Sequence, residues 1–225
     1  MSVTEAHRSR RGLLDEDGDL SDAMFTRLLR SVAWVIITAV LVVAAIAGTM
    51  KIADVWGTND KLNAVDAGFL QDMIDHHQQA IDISRLYLKA NVKGPAAPYA
   101  AEVVFYQQIE NDRMDGWLRR GDRERGAPNR LAMVWMGMPS PVGEMPGMQT
   151  MATLADVGAA TGDQAARLFF QVMTDHHLGG AHMAEFAATN GANTDVTDFA
   201  ERMARNQRVE IIEYRQAMER LGLAA

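Results

Sequence analysis

Apolar residues recur at alternating steps of three and four between residues 62 and 88, and this spacing predicts an amphipathic helix. The inward row comprises Leu62, Val65, Phe69, Met73, His76, Ala80, Ile83 and Tyr87. A second apolar row beside it makes the face wide enough for the core of a helical bundle. The segment from Asn91 to Gly94 ends this helix, and the prolines at 95 and 98 suit the first turn of a second helix that ends at Gly121.

The same plan appears twice in the chain. Residues 69–77 read FLQDMIDHH and residues 169–177 read FFQVMTDHH, and Gln107 and Glu110 are matched by Gln207 and Glu210. This duplication predicts a second hairpin, with one helix at about residues 163–190 and another at about residues 196–221. Two hairpins with short internal loops predict an all-α fold, a four-helix bundle.

The repeat also defines the predicted organisation of the chain. Repeat one occupies residues 60–121, a methionine-rich crossover occupies residues 122–160, and repeat two occupies residues 161–222, so that the helical domain spans residues 60–222. Within the crossover, short helices are predicted at residues 128–138 and after Thr150, a suitable N-cap residue.

An uncharged apolar run, VAWVIITAVLVVAAIAG at residues 32–48, precedes this domain. With its flanks it predicts a transmembrane anchor at residues 31–52, because a helix of about 20 apolar residues spans a bilayer. Arg27 and Arg30 precede the run, so the positive-inside rule predicts a cytoplasmic, disordered tail at residues 1–30 and an extracytoplasmic C-terminal domain, as in a single-pass protein of the cell membrane. A cleaved signal peptide, with Ala45 and Ala47 near its cleavage site, is the alternative.

Composition narrows the chemistry. The formal charge of −7 argues against a nucleic-acid partner, because binding phosphates requires a basic surface. The chain has no cysteine, so soft-metal chemistry falls to methionine and histidine. There are 15 methionines, and a cluster of them lies in the crossover: Met133, Met136, Met138, Met145, Met148 and Met151.

Histidine, glutamate and glutamine fall on helix faces otherwise made of apolar residues. A carboxylate on such a face is costly unless it is paired or binds a metal. Met73 and Met173 lie one helical turn before the second histidine of each pair. The predicted metal ligands are therefore His76, His77, Glu110, Met73, His176, His177, Glu210, Met173, His182 and Met183. Residues predicted to orient these ligands by accepting or donating hydrogen bonds are Asp75, Asp175, Gln107 and Gln207.

Copper fits this set best, because histidine and methionine without cysteine suit a soft ion. Zinc or iron are alternatives, and a buried His–Glu pair that binds no ion is another. A ferritin-type di-iron site is disfavoured because the chain has no Glu-x-x-His motif. The six crossover methionines predict a second copper site, or else a loop that packs over one end of the bundle.

The segments Met73-Ile74-Asp75-His76-His77 and Met173-Thr174-Asp175-His176-His177, the two Gln-x-x-Glu pairs and Met145-Pro146-Gly147-Met148 resemble the domain-of-unknown-function family numbered 305. The resemblance covers roughly residues 60–222. It implies a ferritin-like four-helix fold, and it implies copper binding, since some members are periplasmic or secreted copper-binding proteins.

Together these features predict a membrane-anchored metal-binding protein that buffers or transfers copper. One alternative is an accessory structural subunit of a larger membrane complex, in which the His–Glu pairs are only structural. Another is a metal-dependent oxidoreductase of ferritin-like type, although the missing Glu-x-x-His motifs count against an enzyme.

Overall fold

The computed structural model describes residues 60–223. Five α-helices follow one another along this part of the chain: α1 (Ala64–Asn91), α2 (Ala97–Arg120), α3 (Met151–Ala159), α4 (Gly162–Asn190) and α5 (Thr194–Arg220). Two short strands, β1 (Leu131–Ala132) and β2 (Ser140–Pro141), pair antiparallel in the crossover. The prediction of an all-α protein is confirmed for the described residues.

Local sequence explains where the helices begin. The Asn63 side chain accepts from the backbone of Asp66 while the Asp66 carboxylate accepts from the backbone of Asn63, which forms a capping box at the start of α1. Thr150 caps α3 by accepting from the Thr153 N–H, and Asn193 caps α5 by accepting from the Asp195 and Val196 N–H groups. These caps satisfy donors that a helix leaves unpaired at its N-terminus.

The predicted helix at residues 128–138 is absent. The structure has β1, a single turn of 3-10 helix at Val134–Met136, and β2 instead. Met133 has a φ of 61°, a left-handed conformation that cannot continue a right-handed helix. The backbone N–H of Met133 donates to Asp72 at 2.7 Å, so a contact with α1 fixes the conformation that breaks the helix.

Pairs of long helices form the domain. Helix α1 packs along α2, α4 packs along α5, and the two hairpins join mainly through α1 and α4, with α3 lying against α1. Helices α2 and α5 meet through side chains, as in the edge-to-face contact of Trp117 with Phe199 at a centroid distance of 5.0 Å. Among the described residues, α2 and α5 pack less closely on each other than on their hairpin partners, and their seam is the open side of this part of the chain.

The core consists of two apolar clusters on either side of a polar layer at mid-helix. One cluster, which we name the methionine end, contains Phe69, Leu70, Met73, Met114, Leu118, Met133, Met145, Met183, Val196 and Met203 among its buried members. The other, which we name the aromatic end, contains Ile83, Tyr87, Val103, Phe169, Phe170, Met173 and Tyr214 among its buried members. Between them lies the polar layer of buried His76, His77, Gln107, His176, His177 and Gln207.

The prediction of a single-pass protein of the cell membrane requires correction. Within residues 60–223, no helix combines the length and the apolar character needed to span a bilayer. The predicted anchor at residues 31–52 and the predicted tail at residues 1–30 lie outside the described residues.

Candidate metal centre

The two histidine pairs lie side by side at the middle of α1 and α4, and all four rings are buried. His76 and His176 face each other across the interface between the two hairpins, with ring centroids 3.9 Å apart and an interplanar angle of 41°. The duplicated sequence thus brings equivalent residues of the two repeats together at the centre of the domain.

His77 and His177 each contact one glutamate of the second helix in their own hairpin. The Nε2 atom of His77 lies 2.9 Å from Glu110 Oε2, and the Nε2 atom of His177 lies 2.8 Å from Glu210 Oε2. An ionised carboxylate only accepts, so each Nε2 carries a proton and donates it. In the neutral ring, the other nitrogen, Nδ1, then keeps a free lone pair.

The same tautomer is imposed on His76 by the crossover. Its Nε2 atom lies 3.0 Å from the carbonyl oxygen of Pro146, which can only accept. The Nδ1 atoms of His76, His77, His176 and His177 are all buried and have no hydrogen-bond partner among the described residues. Such atoms are rare in folded proteins and call for an explanation.

Burial keeps the central rings uncharged. Desolvation by burial, with a further contribution from the neighbouring His77, lowers the pKa of His76 to about 3. Burial and the facing ring of His76 hold the pKa of His176 well below its ordinary value. A neutral imidazole is the form that binds a metal ion, so neither ring requires deprotonation near neutral pH.

The loop at Met145-Pro146-Gly147-Met148 covers these rings, and both repeats hold it at the same position. Gln79 accepts from the backbone N–H of Gln149 at 2.7 Å and donates to the Gln149 carbonyl at 2.9 Å. At the equivalent position of α4, Gly179 has no side chain, and a Cβ there would collide with the Pro146 carbonyl. Gly147 itself has a φ of 84° and approaches the His176 carbonyl closely. The loop is thus clamped directly over the polar layer.

The residues predicted to orient the histidines do not do so. Asp75 forms an ion pair with Arg130 at 2.6 Å instead, and Asp175 is exposed on the outer face of α4. Gln107 and Gln207 are buried in the layer, and each has an Oε1 atom without a hydrogen-bond partner. The correction follows from helix geometry: an aspartate one residue before the buried histidine points away from the ring that it was predicted to contact.

Asp72 is an organising residue that sequence reasoning missed. Its carboxylate accepts from the Arg130 guanidinium at 2.6 Å and from both the Met133 backbone and the Trp135 indole at 2.7 Å. These bonds fix the start of the crossover on α1. A carboxylate at a buried position of α1, with valine at the equivalent position 172 of α4, was the available signal in the sequence.

The predicted methionines divide into three groups. Met73, Met183, Met133 and Met145 are buried in the methionine end, and Met136 and Met148 are partly buried against it. Met173 lies in the aromatic end, on the other side of the polar layer. Met138 and Met151 are exposed, as is His182, so the structure brings none of these three into the layer.

The donor set decides which ions fit. Among residues 60–223, no three histidine, aspartate or glutamate side chains converge as they would around a metal ion. The described residues therefore do not form a group of three or four such ligands, which is the usual arrangement around zinc. Neutral imidazoles with free Nδ1 lone pairs, next to a thioether-rich cluster, instead fit a soft ion of low charge such as Cu(I).

Comparison with known proteins identifies the class. The sequence profile of DUF305, a domain of unknown function, matches residues 66–218, and the chain belongs to this family. The resemblance read from the histidine motifs is thereby confirmed. No curated protein matches the chain.

Solved structures agree with this assignment. The chain is similar to a DUF305 protein of Streptomyces coelicolor that is described as secreted, with 30% identity over 72% of this chain and 95% of that one and a TM-score of 0.63. A DUF305 fragment from Deinococcus radiodurans shares 24% identity over 71% of this chain and 99% of that one, with a TM-score of 0.61.

A third similar structure is CopM in the Cu(I)-bound form. It shares 22% identity over 69% of this chain and 96% of that one, with a TM-score of 0.50. At this level of identity the similarity shows a shared fold only.

Proposed function

We propose that this protein binds Cu(I) in the polar layer between the two repeats and buffers or hands over the ion. The observation that carries the proposal is the set of four buried Nδ1 atoms without a hydrogen-bond partner. Three of the four rings are held in the tautomer that leaves Nδ1 free, by Glu110, Glu210 and the Pro146 carbonyl. A bound ion would satisfy those Nδ1 atoms that it contacts, which otherwise cost free energy by their burial.

The ion is a soft one of single charge. Cu(I) accepts imidazole and thioether ligands at low coordination number, and a single charge is less costly to bury than a double one. Four buried methionines of the helices that surround the layer provide thioethers: Met73, Met114, Met183 and Met203. The copper-bound state of CopM is consistent with this choice.

In this proposal the four long helices form a ferritin-like bundle that holds an ion without turning over a substrate. The glutamates keep the protons of His77 and His177 on Nε2, and the clamped loop excludes water from His76 and His176. In this proposal the protein stores and releases the copper ion, and the ion takes part in no reaction.

Competition for Cu(I) against a chromogenic chelator, under anaerobic conditions with the full chain, tests the proposal. The pairs His76→Ala/His77→Ala and His176→Ala/His177→Ala are expected to lose copper, whereas His182→Ala, which changes an exposed histidine, is expected to retain it. Circular dichroism checks that each variant is folded. If both double variants keep all the copper of the wild type, the site is not in the polar layer and the His–Glu pairs are structural.

A second measurement reads the ligand atom directly. Nitrogen NMR of the histidine rings, with Ag(I) as a redox-inert substitute, is expected to shift the Nδ1 resonances and leave the protonated Nε2 resonances of His77 and His177 in place. A shift at Nε2 alone would contradict the assigned tautomer.

A further inference from the structure

The seam between α2 and α5 forms a continuous groove on the open side of the domain. Three clefts of about 590, 350 and 220 Å³ follow one another along it. The first and the second share Glu102 and Glu213 as lining residues, and the second and the third share Tyr106 and Glu110. Helix α2 has 24 residues, so the groove extends over much of a helix of roughly 36 Å.

The rims of this groove are apolar and exposed. Tyr106 and Ile109 on α2, with Val209 on α5, line these clefts, and each exposes between 48 and 57% of its surface. Phe105, next to Tyr106 on α2, packs edge-to-face on it at 5.2 Å, and within residues 60–223 it is 61% exposed. A group of exposed apolar side chains around a groove is typical of an interaction surface.

The centre of the groove is acidic. Glu102, Glu110, Glu210 and Glu213 line the middle cleft, which has no lysine or arginine among its lining residues. The arginines of the groove lie toward its ends: Arg113 and Arg202 in the third cleft, and Arg220 in the first. An occupant that complements this surface has cationic side chains at its centre and apolar side chains beside them.

Charge also argues against a second copy of the chain as the occupant. A symmetric pairing through this groove would place the four central glutamates of one copy against the same four of the other, and like charges in contact cost free energy. A small cation would neutralise the glutamates but would leave the apolar rims exposed to water. A polypeptide segment satisfies both features.

We propose that the groove between α2 and α5 is the docking site for a partner protein that presents an amphipathic segment with lysine or arginine at its centre. The proposal stands on the surface alone and does not require that the protein bind copper. Its position has a consequence, however, because the groove is lined by Glu110 and Glu210, which hold His77 and His177 by hydrogen bonds. A partner in the groove would lie one side chain away from the polar layer.

Fluorescence anisotropy with a designed peptide tests the docking site. The probe is a labelled peptide of about 18 residues, roughly 27 Å as a helix, with leucine on one face and lysine at its centre. It is titrated with the full chain at physiological salt, beside a second peptide that has glutamate in place of lysine. Saturable binding of the lysine peptide only is expected.

Variants of the groove give the matched comparison. Glu102→Gln/Glu213→Gln removes two central charges without touching the histidine pairs and is expected to weaken binding about tenfold, as for loss of close charge pairs. Ile109→Glu/Val209→Glu is expected to abolish binding. Leu178→Glu, which changes an apolar residue on α4 that is 48% exposed and lies outside the groove, is the control and is expected to bind as the wild type does.

Five results would overturn the proposal. The lysine peptide does not bind, or, as a second such result, the glutamate peptide binds equally well. Leu178→Glu weakens binding as much as the groove variants do. Sedimentation shows self-association that Ile109→Glu/Val209→Glu abolishes, which assigns the groove to a second copy. Spermine binds with the same affinity and the same dependence on Glu102 and Glu213, which assigns it to a small cation.

Discussion

The methionine end and the aromatic end occupy equivalent places on the two sides of the polar layer, yet their side chains differ in kind. Met114, Met183 and Met203 in the first correspond to Tyr214, Ile83 and Val103 in the second. The crossover adds Met133 and Met145 to the methionine end. The histidine layer is therefore common to both repeats, whereas the buried thioethers are concentrated on one side of it.

The difference is sharpest next to the glutamates. Tyr214 lies one turn after Glu210, and its hydroxyl is 3.4 Å from His177 Nε2. Burial raises the pKa of Tyr214 well above its usual range, so the hydroxyl remains neutral. Met114 occupies the equivalent position after Glu110 and is fully buried. One histidine–glutamate pair thus has a hydroxyl beside it, and the equivalent place in the other repeat has a thioether.

The largest change in the free energy of unfolding is expected on lowering the pH, and the histidines of both repeats should contribute to it. Since the pKa of His76 is about 3 in the folded protein and about 6.5 in an unfolded chain, the unfolded state takes up the proton first. The free energy of unfolding is expected to fall as pH drops from about 6.5 toward 3, with a slope of roughly 1.4 kcal/mol per pH unit for each such histidine. Urea unfolding of the metal-free protein at several pH values measures this slope.

Single variants separate the contributions to this slope. His76→Gln and His176→Gln should each reduce this slope by the contribution of about one proton, because each removes one buried ring. His182→Gln, at an exposed position, should leave it unchanged. A slope that neither buried variant alters would show that these two rings bind protons as readily in the folded state as in the unfolded state.

The second largest effect is expected at position 72 and its counterpart. Asp72→Ala leaves Arg130, the Met133 N–H and the Trp135 indole without their acceptor, and loss of one partner from a buried ion pair costs about 3–5 kcal/mol. Val172→Ala removes only two methyl groups, worth about 1.6 kcal/mol. Equal losses of unfolding free energy for the two variants would mean that Asp72 does not organise the crossover.

A smaller effect, with an informative sign, is expected at position 179. Gly179→Ala should destabilise the protein by about 1–3 kcal/mol, because the new methyl group displaces the loop at Pro146. Gln79→Ala, the matched change in the other repeat, removes two hydrogen bonds and should cost about 1–2 kcal/mol. Alanine normally stabilises a helix relative to glycine, so a gain of about 1 kcal/mol at 179 would show that the loop does not contact α4.

The smallest expected effect, on Cu(I) affinity, tests whether Met114 and Tyr214, at equivalent positions of the two repeats, differ in their contribution to binding. Met114→Leu keeps the apolar volume and removes the thioether, and we expect about tenfold weaker Cu(I) binding, which is about 1.4 kcal/mol. Tyr214→Phe should leave Cu(I) affinity unchanged, and so should Met151→Leu at an exposed position. Chelator competition reads all three. Equal weakening by Met114→Leu and Tyr214→Phe would mean that the two halves do not differ toward the ion.

Periodicity and the repeat predicted the helical class, and the histidine motifs predicted the family. Local signals, such as the spacing of apolar residues along α1 and the Asn63 cap, are sufficient to predict helices, because they depend on residues within one or two helical turns. The partners of the site depend on contacts far along the chain. Nothing near Asp75 in the sequence indicates that Arg130 will pair with it, and nothing near His76 indicates that the Pro146 carbonyl will accept from its ring.

The two repeats also share their cores, and this has a consequence for how the chain can be divided. Each end draws side chains from both hairpins: the methionine end combines Phe69 and Met114 with Met183 and Val196, and the aromatic end is equally mixed. Neither hairpin alone would contain a complete apolar interior. A half-length chain would have to pair with a second copy of itself to bury the same surfaces. The molecule therefore has the organisation of a symmetric dimer whose two subunits are joined in one polypeptide. In such a chain, the sequence of one repeat can differ from that of the other.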